Sequence, residues 1–257
     1  MRFEPRREAQ LLLSATQFLT RLPVRPLSYD ANWLPRGAKY FPLVGVLVGC
    51  LGAAVLLLAS AVWPAPLPQI LALAATLLAT GALHEDGLAD CADSLGGSSR
   101  EKRLAIMKDS RLGTYGALAL MITLGLQVAA LAALSATLGA LCLVAAHAAG
   151  RLGPVLVMAA GPYAGDPAAS RIEHRPERPE AGEIALAALF GLAPLALVPS
   201  GWAALGVLIG GAAASLFAFS LCRPLGGYTG DVLGGVVVVF QTAFLLGVAA
   251  GAGRAFP

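Results

Sequence analysis

The stretch LPQILALAATLLATGALHEDGLADCADSLGG, residues 67–97, poses the problem that decides the fold. Its first half is Leu, Ala and Ile without a charge, the composition of a helix in lipid; its second half gathers His84, Glu85, Asp86, Asp90 and Asp93. Charged side chains are costly at membrane depth, so acids at the end of such a run mark a functional site unless something else satisfies them. On one α-helix, at about 100° per residue, Asp86, Asp90 and Asp93 fall at i, i+4 and i+7, within a sector of roughly 60°. Carboxylates that share a face repel one another, and a divalent cation is their natural partner. Hard oxygen donors favour Mg²⁺, Mn²⁺ or Ca²⁺ over Zn²⁺. Mg²⁺ commonly takes one or two carboxylates and fills its shell with water and substrate phosphates, which points to phosphoryl chemistry. Glu85 is rotated about 100° from Asp86 and is the less direct candidate ligand. The plainer alternative is a solvated helix end balanced by Arg100, Lys102 and Arg103.

Working outward, the chain has 257 residues, 57% of them hydrophobic and 13% charged, against roughly 25% charged in a soluble domain. This is the composition of a membrane protein. A formal net charge of +3 gives no ground for a nucleic-acid partner. Cys50, Cys91, Cys142 and Cys222 form no C-x-x-C pair and imply no disulfide framework. Arg2, Arg6 and Arg7 precede a short, polar-interrupted apolar core at 11–19 that leads into RLPVRP rather than a cleavage site. That pattern reads as an interfacial helix or a plain cytoplasmic arm, not a signal peptide.

A helix needs on the order of 20 apolar residues to cross the hydrocarbon. Stretches near 41–63, 67–84, 115–135, 138–160, 183–199, 202–221 and 232–251 meet or approach that length, the fifth being the weakest. The linkers at 64–66, 136–137 and 199–201 carry no charge, whereas the N-terminal arm, 85–114, 161–182 and 222–231 hold nearly every Lys and Arg. The positive-inside rule places the charged linkers, and with them the acids, in the cytoplasm. The expected fold is an all-α polytopic transmembrane helix bundle of six to seven spans, a single integral membrane domain over 1–257. Residues 1–40 form its cytoplasmic or interfacial arm and 41–257 the bundle, with an acidic active site on the cytoplasmic face. Small residues in the spans suit close helix packing and admit a homo-oligomer, but identify no partner.

Three further segments fall on the same side. KDSRLGTYG, 108–116, supplies Lys108, Asp109 and Arg111 just before a span, either as phosphate-binding groups or as boundary anchors. His147 and Arg151 share a helix face at i, i+4, and an Arg inside a span faces the bundle or water rather than lipid. Both are candidates for substrate contact, as is His84; a structural hydrogen bond is the alternative for His147. RPLGGYTGDVLGG, 223–235, sets Tyr228, Thr229, Gly230 and Asp231 at the start of the last span, where a helix N-terminus and glycine backbone favour an anion. A lone Asp there is equally well explained as an N-cap.

HEDGLADCADSLGG, KDSRLGTYG and GGYTGDVLGG, with FLTRLPV at 18–24 and YFPLVGVLVG at 40–49, resemble the cobalamin synthase family, the adenosylcobinamide-GDP ribazoletransferases, in order and over essentially the whole chain. The resemblance implies an Mg²⁺-dependent enzyme of the cell inner (plasma) membrane. Its substrates would be adenosylcobinamide-GDP and α-ribazole or its 5′-phosphate; its products would be adenosylcobalamin, or the 5′-phosphate, and GMP. On that reading Asp86, Asp90, Asp93 and Glu85 are candidate metal ligands, and Asp93 or Asp231 the general base. Lys108, Asp109, Arg111, Arg151, His147, His84, Tyr228, Thr229 and Gly230 would contact substrate. The D-G-x-A-D pattern also resembles CDP-alcohol phosphotransferases, but Ala89-Asp90 stands where those carry A-R. A cation or vitamin transporter is the rival from another class. It would place its acids near the midplane in paired repeats, and no such repeats are evident.

Overall fold

The computed structural model of the protein describes residues 4–25, 33–165 and 178–253. Most of 161–182, expected as a basic linker, lies outside the described residues, as do Arg2 and Arg254. Among the described residues the regular structure is helical, apart from one backbone bridge between Tyr163 and Tyr228. Helix α1 is Pro5–Leu19; α2, Trp33–Gly37, runs through a 3₁₀ turn at Ala38–Tyr40 into α3, Phe41–Ser60. There follow α4 (Leu67–Thr80), α5 (Leu83–Ser94), α6 (Arg100–Met107) and α7 (Thr114–Ala132). Then come α8 (Ala136–Gly150), α9 (Leu152–Ala160), α10 (Ala181–Leu192), α11 (Ser200–Leu225) and α12 (Gly230–Gly253).

Among the described residues five runs are long and apolar enough to cross a membrane: Trp33–Ser60, Thr114–Ala132, Ala136–Ala160, Ser200–Leu225 and Gly230–Gly253. A sixth results if α4 and α5 count as one bent span. The chain is therefore an all-α bundle with apolar helices suited to lipid, and two of the seven expected spans are altered. The stretch at 183–199 forms only α10 and a 3₁₀ turn, Ala193–Leu197, with Pro194 at its start. The stretch at 67–84 ends at Thr80 because Gly81 and Ala82 both take left-handed backbone, φ +64° and +54°. Their amides close the helix onto the Leu78 and Leu77 carbonyls at 3.3 and 2.9 Å. After this break α5 departs at 90° to α4. Arg21 reinforces the corner: its N–H donates to the Ala79 carbonyl at 2.7 Å, and its guanidinium fills the space where a Gly81 side chain would stand.

Helix α12 is the axis of the bundle, 78% buried over its most apolar window, and it packs against α5, α7, α8, α9 and α11. Helices α7 and α11 are buried over only 22% and 28% of theirs. Their outward Met121, Leu208 and Leu216 are exposed and form part of the bundle's apolar surface. Backbones approach closely where glycines permit: a Cβ at Gly45 would strike the His147 carbonyl, and one at Gly247 the backbone of Gly206. Without a hydrophobic driving force between helices in lipid, such close packing is what holds them. Helix α1 docks on this frame. Phe18 packs edge-on against Trp33 and stacks on Phe41. Glu8 accepts from the Tyr40 hydroxyl at 2.7 Å and pairs with Lys39 at 2.6 Å.

Candidate active site

Helix α5 has two faces. Gly87, Leu88, Ala89 and Cys91 are buried, whereas Asp86 is exposed and Asp90 and Asp93 are half-buried. The buried face lies on the first turns of α12: a Cβ at Gly87 would come within 2.7 Å of the Asp231 carbonyl, and one at Gly234 within 3.2 Å of the His84 backbone. Backbone contact on both sides brings Asp231, distant in sequence, beside Asp86 and Asp90. The charges of Asp231, Asp86 and Asp93 all act on Asp90, in that order of strength.

Asp231 is not the cap of α12. Thr229 fills that place, its Oγ1 accepting from the Val232 N–H at 3.3 Å, and donating to Asp231 Oδ2 at 3.4 Å. The preceding glycines make the turn: Gly226 and Gly227 have φ of +74° and +155°. A neighbouring segment fastens it. The Tyr228 N–H donates to the Pro162 carbonyl at 3.0 Å, the Ala164 N–H donates to the Tyr228 carbonyl at 2.8 Å, and the Tyr163 and Tyr228 rings meet edge-on. From α6, Arg100 donates to the Leu225 and Ala164 carbonyls at 2.7 and 3.1 Å. Tyr228 and Thr229 are thus buried supports, while Gly230 faces open space.

A second group lies behind the acidic face. His84, His147 and Arg151 are all buried. His147 Nδ1 lies 3.1 Å from an Arg151 amino nitrogen and 3.0 Å from Gln241 Nε2, both obligate donors, so the ring proton belongs on Nε2. Arg151 also donates to the His147 carbonyl at 3.0 Å. Arg151 Nε and Glu85 Oε2 are each buried without a hydrogen-bond partner, and the two opposite charges act on one another. Glu85 is therefore turned toward the Arg151 group and away from the exposed carboxylate of Asp86.

Asp93 differs from the other acids. Its Oδ2 accepts the Gly113 N–H at 2.8 Å and its Oδ1 the Gly116 N–H at 2.9 Å. In the α6–α7 loop, Asp109 and Arg111 are paired through three side-chain hydrogen bonds, the shortest 2.6 Å, on the surface. The hydrogen bonds from Arg111 hold the Asp109 carboxyl down at about 2. Lys108 is exposed at the end of α6.

Among the described residues no three His, Cys, Asp or Glu side chains converge into a closed metal cage. Asp86, Asp90 and Asp231 instead place mutual negative charge beside an open helix start. This donor set fits an ion that takes one or two carboxylates and completes its shell with water and phosphate, as Mg²⁺ does. Sequence reasoning missed Arg21, Arg100 and Gln241. Arg21 lies in the FLTRLPV motif and Arg100 reads as charge balance for the acidic helix, while Gln241, in an apolar span, gives no signal apart from its contact with His147.

Residues 11–249 match the family model described as cobalamin-5-phosphate synthase. The chain is 44% identical over 261 residues to an adenosylcobinamide-GDP ribazoletransferase of Leptothrix cholodnii, covering 95% of this chain and 96% of that one. It is 38% identical over 247 residues to the protein of that name in Shewanella amazonensis (94% and 95% covered), and 41% over 251 residues to that of Ralstonia nicotianae (93% and 95%). No solved structure matches.

Proposed function

We infer that this chain, which belongs to the cobalamin-5-phosphate synthase family, is an adenosylcobinamide-GDP ribazoletransferase acting late in cobalamin biosynthesis. The observation that carries the reading is the meeting of α5 and α12, which sets Asp86, Asp90 and Asp231 around an open helix N-terminus in a chain matched nearly end to end by such transferases. The apolar helices make it a membrane protein. The bias of Lys and Arg toward one set of linkers supports the inner membrane with the site facing the cytoplasm.

In the proposed reaction the 3′-hydroxyl of α-ribazole, or of its 5′-phosphate, attacks the cobinamide-linked phosphorus of adenosylcobinamide-GDP. A new P–O bond forms, the bond to the bridging pyrophosphate oxygen breaks, and GMP departs with that oxygen. Asp231 takes the hydroxyl proton, help worth roughly 10²–10⁴-fold in rate. Asp86 and Asp90 would hold an Mg²⁺ ion, or Mn²⁺ in its place, which supplies charge neutralisation on the pyrophosphate oxygens. The exposed Gly230 end of α12 would receive phosphate oxygens at the helix N-terminus. Lys108 and Arg111 flank it, and the exposed Asp109 partner is one that Arg111 can exchange for phosphate. His84, Glu85, His147 and Arg151 support α5 from behind, and Tyr228 and Thr229 fix the turn.

The test uses purified protein in nanodiscs with adenosylcobinamide-GDP, α-ribazole and Mg²⁺, GMP and cobalamin being quantified together. Equimolar release of both, lost with EDTA and restored by Mg²⁺, is the expected result. Folded protein that yields neither product with the metal present would overturn the assignment.

A further inference from the structure

Asp93 shares a helix with Asp86 and Asp90, yet its carboxylate is committed elsewhere. The two N–H groups it accepts, from Gly113 at 2.8 Å and Gly116 at 2.9 Å, lie at the start of α7. Gly113, the residue at the cap position of α7, has no side chain with which to satisfy them. Helix starts leave such amides orphaned, and an ionised carboxylate is the strongest acceptor for them and also opposes the helix dipole. The local sequence is shaped for this contact from the other side. A Cβ at Gly113 or at Gly116 would overlap the Asp93 carboxylate, so L-G-T-Y-G reads as a socket for a carboxylate carried by another helix.

We propose that Asp93 is a positioning residue: it caps α7 from α5 and so holds the loop bearing Lys108 and Arg111 beside Asp86 and Asp90. The capping is a property of the fold. Its consequence for turnover rests on the phosphoryl-transfer reading above.

Asn keeps one of the two acceptor oxygens and turns an NH2 donor toward the other N–H, whereas Ala keeps neither acceptor. Three variants separate capping from metal binding: Asp93→Asn, Asp93→Ala, and Gly116→Ala, which keeps the carboxylate but fills its socket. Amide hydrogen exchange over 113–117, Mn²⁺ affinity by electron paramagnetic resonance, and steady-state GMP release are read on each in nanodiscs. Asp93→Ala and Gly116→Ala should exchange about five- to tenfold faster at those amides. Both should raise KM for adenosylcobinamide-GDP and leave Mn²⁺ affinity in place, and Asp93→Asn, which keeps one of the two bonds, should fall between the wild type and Asp93→Ala in exchange and in KM. A ligand role gives the opposite pattern, with Mn²⁺ affinity and turnover lost in Asp93→Asn and Asp93→Ala alike while Gly116→Ala keeps KM near the wild-type value. That result would overturn the proposal. If the wild type releases no GMP, the reaction assignment fails, while the exchange and Mn²⁺ measurements still decide what Asp93 does.

Discussion

Asp86, Asp90 and Asp231 are brought together by backbone contact at Gly87, and among the described residues none of them forms a salt bridge. Such an arrangement trades folding stability for a binding site, because like charges brought together repel until a cation or proton arrives. Replacing Asp90 with Asn should therefore leave the metal-free thermal midpoint unchanged or raised, while GMP release falls to background; Asp86→Asn should behave alike. Near-normal rates in both would remove the pair from the mechanism. Asp231→Asn should lower kcat by roughly 10²–10⁴-fold with Mn²⁺ affinity largely kept, as suits a proton acceptor. Loss of Mn²⁺ binding there would make Asp231 a ligand instead. Asp86 and Asp90 were legible in the sequence because i, i+4 spacing places them on one face in any helix. Asp231 carried two readings until Thr229 was seen capping the helix, since cap and functional acid look alike in one dimension.

Helices α5 and α12 work as a unit because Gly87 and Gly234 let their backbones touch. Gly87→Ala inserts a methyl that meets the Asp231 carbonyl, an overpacking of about 1–3 kcal/mol. The expected outcome is a protein that still inserts and folds, with a lower thermal midpoint and turnover reduced at least about tenfold, because Asp231 and Asp90 are pushed apart. Unaltered turnover would show that the α5–α12 spacing does not set the site. Hydropathy finds α3, α7, α11 and α12 readily, as long apolar runs must be helical in lipid. It cannot see the corner after Thr80, because two left-handed residues change the direction of a chain without changing its apolar character. The same blindness hides Arg100, whose bonds to the Leu225 and Ala164 carbonyls depend on three segments meeting. A charge that follows an acidic helix reads as balance until that meeting is observed.

Across the whole molecule, polar helices are fastened to the apolar bundle around α12 from outside, α6 through Arg100 and α1 through an ion pair. Lys39 is 2% exposed at the entry to α3, and its charge is answered by Glu8 at 2.6 Å, with the buried Glu183 acting on it as well. Burial would raise the Glu8 pKa, but hydrogen bonds from Lys39 and Tyr40, with the Lys39 charge, hold it below its usual 4.5. A carboxylate with a depressed folded pKa contributes stability that is complete above its unfolded value and is lost as pH falls through the folded one. Amide exchange over 5–19 should thus be slow and flat from neutral pH down to about 5, then quicken below about 4 relative to intrinsic rates. Glu8→Gln should remove that acid-side rise. It should also loosen α1 at neutral pH, since it strands the buried Lys39 ammonium, and losing one partner of a buried pair costs about 3–5 kcal/mol. The double variant Glu8→Gln, Lys39→Met should recover part of that loss, because the buried ammonium is removed, and only part, because the buried Glu183 loses its Lys39 neighbour. A double variant no better than Glu8→Gln alone would mean that α1 is held by the Phe18, Trp33 and Phe41 rings, with the ion pair incidental to the docking.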